Sequence, residues 1–296
     1  MTTLRFYNGE SFEEMAVALG FYRDFISTAD GSLHRVKVDR DRPGQKSGWY
    51  VRYSNGLASG AAGNWKTGQA QTWCEKSRQN LSPTEKALYR QQMLEAQAAR
   101  EREQARNHEL AAEKAARIMV ASHACDVHAY LEKKNVGAYG VREVTWSQGF
   151  RSLETGERER LSEPALLIPM YDASEKLWSI AAIASDGRKD FLWGGKKKGC
   201  FHLIGKVGDT VCIAEGYATA ATIHEATGYA VFVAFDAGNM VPVAAAVRNA
   251  YPAARIIVCA DNDQHTPGNP GLTKGTEAAR AVGGLVAAPW FEKDAT

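Results

Sequence analysis

No two cysteines of this chain form a CxxC pair. Cys74, Cys125, Cys200, Cys212 and Cys259 are scattered singly, which removes the usual half-site for zinc and the dithiol redox motif. They are expected to be the reduced thiols of a cytoplasmic protein. Long apolar runs are missing too: none approaches the roughly 18 to 20 residues that span a bilayer. Met1 to Gly20 mixes acids with its apolar residues and lacks the charged-then-apolar order of a signal peptide. A GxxxxGK[ST] phosphate loop is absent, because the nearest glycine-lysine text, Gly194-Gly195-Lys196, has the wrong spacing. Excess charge is small as well, a formal +2 over 296 residues, so only the distribution of charge can argue for a nucleic-acid partner. There is no internal repeat. A composition of 45% hydrophobic and 24% charged residues fits a soluble globular chain long enough for two compact domains.

Glycine and proline are absent from Thr84 to Val136, and this gap organises the chain. Before it, residues 1–80 are rich in Gly, Ser, Asn and aromatics, with short extended runs such as SGWYVRYSNG, and read as a small β-containing region. Its aromatics Trp49, Tyr50, Tyr53, Trp65 and Trp73 are expected to form a small core. Ser82-Pro83-Thr84-Glu85 reads as a capped helix start. Glu85 to Arg117 then holds seven basic and six acidic residues among Ala and Gln, which predicts a long solvated helical connector over 81–136. His123 and His128 fall in that expected helix, five residues apart and so off the spacing of a helical metal pair.

Residues 137–209 read as a mixed subdomain. ALLIPMY and LWSIAAI are two strands joined by the turn Asp172-Ala173-Ser174-Glu175. A basic patch follows: Arg188, Lys189, Lys196, Lys197, Lys198 and Lys206 stand against the single acid Asp190, with Phe191, Trp193 and Phe201 among them. Such a patch suits phosphate neutralisation, and Trp193 and Phe191 suit base stacking at roughly 1 to 3 kcal/mol each. From Thr210 the pattern alternates: strand TVCIAEG, helix YATAATIHEATG, strand YAVFVAFDAG, helix MVPVAAAVRNAYP, strand ARIIVCADND, helix KGTEAARAVGG, strand LVAAPWF. That alternation predicts an α/β fold, a Rossmann-like parallel four-stranded sheet covered by helices on both faces, over 210–296.

Functional groups of such sheets collect beyond the carboxyl ends of the strands, and three acids lie there. Glu215 closes the first strand, followed by Gly216, which permits close approach to the backbone. Asp261 and Asp263 close the third, their period-two spacing turning both carboxylates to one side of the chain. Together the three form a hard-oxygen set suited to Mg²⁺ or Mn²⁺, and a cation offsets the cost of gathering the charges.

An apolar strand ending in Glu215-Gly216 and another ending in Asp261-Asn262-Asp263 resemble the Toprim domain of bacterial primases, topoisomerases and related nucleases, over about the last 85 residues. Phe232 to Asn239 (FVAFDAGN), Gly271-Leu272-Thr273-Lys274 leading into GTEAARAVGG, and Trp290 resemble a narrower group, the Toprim primases of phages and conjugative plasmids. SDGRKDFLWGGKKKGCFHLIG, the text from His128 to Lys134 and SGWYVRYSNGLASGAAGNWKTG are similar to further segments of that group. The resemblance implies a nucleotidyltransferase that makes short RNA primers from ribonucleoside triphosphates on a single-stranded DNA template. By motif it makes Asp261 and Asp263 the Mg²⁺ or Mn²⁺ ligands and Glu215 a ligand or general base. Lys274, at the start of the third helix, is expected to meet nucleotide phosphate, and Arg188, Lys189, Trp193 and Lys196 to Lys198 to bind the nucleic acid. His265, two residues past Asp263, has a weaker claim on a phosphate.

The sequence departs from many related primases in lacking a zinc ribbon. A replicative helicase working with it is expected on another chain or in a missing C-terminal part, since no Walker loop is present. The alternatives are a Toprim nuclease using the same acids, a topoisomerase, or a non-catalytic module binding single-stranded DNA or the replisome. Retention of Glu215, Asp261 and Asp263 speaks against the last. The expected setting is the cytoplasm of a bacterial host, with no membrane partner.

Overall fold

The computed structural model describes residues 5–7, 11–41, 43–151, 158–159 and 162–290. Phe291, which ends the expected fourth strand of the C-terminal sheet, lies outside them, as do Met1 to Leu4 of the expected N-terminal region. The chain divides into two compact units, residues 1–106 and 107–296.

The first unit is built on a five-stranded sheet. Its elements are β1 (Arg5–Tyr7), α1 (Phe12–Ala18), β2 (His34–Val36), β3 (Gly48–Tyr53), β4 (Ser59–Asn64) and β5 (Gln69–Cys74). The strand order is β1-β5-β4-β3-β2, with only β1 running parallel to its neighbour. Helix α1 starts with a capping box, Ser11 and Glu14 each bonding the other's backbone amide. Phe12 and Met15 of this helix pack with Tyr50 and Trp73 on one sheet face, and Trp49, Val51 and Ala61 lie on the other. The aromatics Trp49, Tyr50 and Trp73 are thus core residues, as expected.

The capped helix start holds: α2 (Pro83–Ala121) opens with Glu85 Oε2 accepting from the Ser82 amide at 2.8 Å. Two expectations about this stretch are corrected. The helix ends at Ala121, and Ser122 bonds the Met119 carbonyl with its own hydroxyl at 2.7 Å. Residues 122–136 then form the short strand β6 (His123–Ala124) and the short helix α3 (Ala129–Lys134). No Gly or Pro marks this stop, because tertiary pairing of β6 makes it. Nor is α2 solvated all round: Tyr89, Gln92 and Ala96 are buried in the first unit, and Ala111, Ala112 and Ala115 in the second. Its alanines provide the small contact surface that the charges conceal. His123 therefore lies in a strand, and His128 caps α3, its Nδ1 accepting from the Tyr130 amide at 3.2 Å.

The second unit holds two five-stranded sheets. The first, in the order β12-β11-β10-β7-β6, is antiparallel throughout and uses β7 (Arg142–Trp146), β10 (Glu163–Tyr171), β11 (Leu177–Ala184) and β12 (Lys189–Phe191). A two-stranded ribbon of β8 (Phe150–Arg151) and β9 (Arg158–Glu159) stands between β7 and β10 in the chain. The apolar runs ALLIPMY and LWSIAAI pair as predicted, register Leu166 to Ile183.

The other sheet contains β13 (His202–Ile204), β14 (Thr210–Ala214), β15 (Ala230–Val233), β16 (Arg255–Cys259) and β17 (Leu285–Ala287), in the order β13-β15-β14-β16-β17. The four expected parallel strands are all present; β13 adds an antiparallel edge that its short, mixed text did not announce. Helices α4 (Tyr217–Thr227), α5 (Met240–Ala250) and α6 (Pro270–Val282) fill the crossovers. Helix α4 ends in a left-handed Gly228, where glycine avoids the steric cost a side chain would meet. One face of the sheet packs with Tyr217, Ala220 and Ala221 of α4 and with Leu166, Ile168 and Met170 of β10. The other face packs with Val243 and Val247 of α5 and Ala278 of α6. The antiparallel sheet is thereby held against the parallel one, which brings β12 toward the carboxyl ends of β14 and β16.

Candidate active site

The carboxyl ends of three adjacent parallel strands gather four acids. Glu215 follows β14, Asp236 follows β15, and Asp261 and Asp263 follow β16. Their mutual field is visible in their proton affinities. Burial raises the pKa of Glu215, and Asp261, Asp236 and Asp263 push it the same way while Lys189 opposes them. Asp261 is likewise raised by burial first and by Asp263 second, again against Lys189. Among the described residues no three His, Cys, Asp or Glu side chains stand close enough together, as placed, to hold a metal ion. The acids instead form an under-neutralised group of hard oxygen donors, a setting that favours a divalent cation.

Lys189 enters from β12 of the neighbouring sheet. It keeps exposed surface, yet it is crowded by surrounding atoms, and that crowding lowers its pKa against the pull of Glu215 and Asp261. Lys189, a basic residue that the sequence assigns to nucleic acid, thus lies within the field of this charge cluster.

Asp236, not singled out from sequence, has a structural signal. Phe235 adopts a left-handed backbone, φ 71°, costly for a bulky residue and characteristic of functional turns. Its amide donates to the Glu215 carbonyl at 2.8 Å, and its ring meets Phe191 edge-on at 6.2 Å. Asp236 Oδ1 then accepts from the Asn239 amide at 2.9 Å. Asn239 is buried and clamps the lysine loop: Oδ1 accepts from the Gly199 amide at 2.8 Å, and Nδ2 donates to the Cys200 and Ala234 carbonyls at 3.0 and 2.8 Å. The FVAFDAGN text therefore joins the second strand end to the basic segment.

The DxD loop has its own fastening. Asn269, the N-cap of α6, is left-handed (φ 40°, ψ 70°) and precedes Pro270 at the first helical position. Its Oδ1 accepts from the Asp263 amide at 3.0 Å and its Nδ2 donates to Asn262 Oδ1 at 2.8 Å. The Gly271 amide donates to Asp263 Oδ2 at 3.1 Å, and a Cβ at 271 would lie 2.6 Å from the Asp261 carbonyl oxygen. Close approach is required there and not at Gly216, where a Cβ would meet its nearest neighbour, Thr219 Oγ1, at an ordinary 3.9 Å.

Other expected residues lie differently. Helix α6 starts at Pro270, so Lys274 stands a full turn inside it, and its ammonium pairs with Glu277 at 2.7 Å. The expectation of a helix-start lysine is corrected by Asn269 and Pro270, which begin the helix earlier. Arg188 is 14% exposed and engaged with Glu163 at 2.8 Å and Asp186 at 2.6 Å, the bonding of a structural cation. Lys196 lies over the Trp178 ring at 4.4 Å, as does Lys176 at 3.9 Å. Lys197 pairs with Asp236 and lies 4.8 Å from the Phe191 ring. Lys198 and Trp193 are exposed, the latter at 60%. His265 is exposed beside Gln264.

Residues 209–287 match the Toprim domain family. Two DNA primases TraC of Escherichia coli are 36% and 35% identical to the chain over 272 residues, 88% of its length. The chain spans 24% and 18% of those two relatives. The primase fragment of the bacteriophage T7 primase-helicase protein aligns at 13% identity, with a TM-score of 0.41 over 58% of this chain and 66% of that one. Residues 209–287 thus form a Toprim domain, carried by a chain homologous to the DNA primase TraC over 88% of its length.

Proposed function

We propose that this chain is the catalytic part of a DNA primase of phage or plasmid type, a nucleotidyltransferase that joins ribonucleotides on single-stranded DNA. The observation that carries this reading is the extent of the similarity to the DNA primase TraC. A Toprim domain alone serves several chemistries, whereas similarity over 88% of the chain reaches far beyond residues 209–287.

The acid cluster fits the chemistry. A divalent cation, Mg²⁺ or Mn²⁺, held by Glu215, Asp261 and Asp263 would neutralise charge developing at the transferred phosphoryl group and on the departing pyrophosphate. The chain's own groups supply the rest. If Glu215 does not itself hold the cation, its carboxylate is the candidate to accept the proton from the attacking 3′-hydroxyl. Lys189 offers an ammonium beside the acids, where a nucleotide phosphate would sit. Lys196, Lys197 and Lys198 supply cations along one loop, and Trp193 an exposed stacking surface. Lys274 would meet phosphate only by leaving Glu277.

The test is de novo synthesis from labelled ribonucleotides on single-stranded DNA with Mg²⁺ or Mn²⁺. Short RNA products from the parent and none from an Asp261→Ala, Asp263→Ala double variant are expected. Cleavage of the DNA without synthesis would turn the reading to a nuclease, and binding alone to an accessory module or a primase needing the remainder of a longer chain.

A further inference from the structure

Between the two aspartates and helix α6 lies a loop, residues 264–268, whose ends are joined by one side chain. Asn269 Oδ1 accepts from the Asp263 amide at 3.0 Å and from the Leu272 amide at 3.4 Å, and its Nδ2 donates to Asn262 Oδ1 at 2.8 Å. The backbone of Asn269 is tied in too, its amide donating to the Thr266 carbonyl at 2.9 Å while its carbonyl accepts from Thr273 at 2.9 Å. Asparagine is among the few residues that adopt its left-handed conformation at low cost. One residue therefore caps the helix, fixes the backbone of Asp263 and orients Asn262, whose amide group bonds the Pro289 carbonyl at 2.9 Å.

We propose that Asn269 is the positioning residue that sets the Asp261-Asn262-Asp263 loop for cation binding. It acts through backbone and side-chain hydrogen bonds and touches neither the cation nor the substrate. The reason is geometric. Asp263 is exposed at a loop start, and a carboxylate there would sample many orientations. The Gly271 amide can hold Asp263 Oδ2 at 3.1 Å only while the start of α6 stays against the loop, and Asn269 is the side chain that bonds both sides of that contact. Outer partners of this kind commonly alter metal affinity by about 10- to 100-fold when removed. The inference rests on the reading of these acids as a cation site.

Asn269→Gly separates the side chain from the backbone, because glycine keeps the left-handed conformation and is tolerated as a cap. Asn269→Asp keeps the acceptor for the Asp263 and Leu272 amides. In the metal-free chain, amide hydrogen exchange at Asp263 should accelerate in Asn269→Gly and stay near the parent rate in Asn269→Asp. Binding of Mn²⁺ to the Asn269→Gly chain, followed by paramagnetic resonance of the free ion, should weaken about tenfold or more, with the thermal midpoint little changed. Unchanged Asp263 exchange and unchanged Mn²⁺ affinity in Asn269→Gly would overturn the proposal while leaving the cation site standing. A parent chain that binds no Mn²⁺ would overturn the cation site and this inference with it. If Asn269→Gly fails to fold, accelerated Asp263 exchange in a folded Asn269→Asp overturns the assigned role of Oδ1.

Discussion

The Gly271 amide donates to Asp263 Oδ2 at 3.1 Å, and a Cβ on residue 271 would stand 2.9 Å from that same oxygen. Helix α6 and the DxD loop are therefore pressed together to a distance only glycine allows. Gly271→Ala should cost about 1–3 kcal/mol through overpacking and weaken cation binding, because the backbone at Asp261 cannot give way as a flexible side chain would. Denaturant melts and Mn²⁺ titration of the variant check both; parent-like values in both would mean that the contact relaxes freely.

The raised carboxyls fix the sign of a pH effect. Glu215 and Asp261 hold protons more tightly in the folded chain than in the unfolded one, so in metal-free protein they lower stability as pH rises through and above the ordinary carboxylate range. Metal-free stability should be higher before these groups ionise and fall as they do, so far as they alone are concerned. Glu215→Gln removes one such charge and should stabilise the metal-free chain at pH 7 by about 0.5–2 kcal/mol, while reducing the stabilisation added by Mg²⁺ or Mn²⁺. Calorimetric melts with and without cation measure the two effects, and a destabilised metal-free variant would contradict the first.

Basic residues that look alike in sequence should separate by experiment. Arg188→Ala removes the guanidinium that bonds Glu163 and Asp186, leaving Asp186 with the backbone amide of residue 188, and should cost about 1–3 kcal/mol of stability. Lys198→Ala should leave the melt unchanged and lower the salt slope of single-stranded DNA binding by about 1, the mark of one lost phosphate contact. Binding titrations over a salt series, beside melts, distinguish these outcomes.

Asn239 bonds three backbone groups from a buried position. Asn239→Ala should cost about 1–3 kcal/mol for each group left without a replacement partner and loosen the segment from Lys196 to Cys200. Faster amide exchange at Gly199 is the direct readout.

Much of this was legible in the chain itself, for local reasons. Strand ends carrying Glu215 and the Asp261-Asp263 pair stand out because apolar runs stop at acids, and Ser82 with Glu85 announces α2. The rest depends on partners distant in sequence. Asp236 follows a turn whose strain at Phe235 only the backbone reveals. Arg188 reads as a loop cation until Glu163, on β10, is seen beside it. The end of α2 at Ala121 carries no breaker, since β6 stops the helix by joining β7. Asn269 looks like one more turn residue until the loop folds back and its amide group meets Asn262.

The most direct measurement is single-nucleotide extension of an RNA primer annealed to a DNA template, with Mg²⁺ or Mn²⁺, comparing the parent with Glu215→Gln and with the Asp261→Ala, Asp263→Ala double variant. The acid cluster should support cation-dependent extension by the parent, with loss of activity in both variants while their melts stay cooperative. Undiminished extension by the folded double variant would contradict the assignment of these strand-end acids as the catalytic centre.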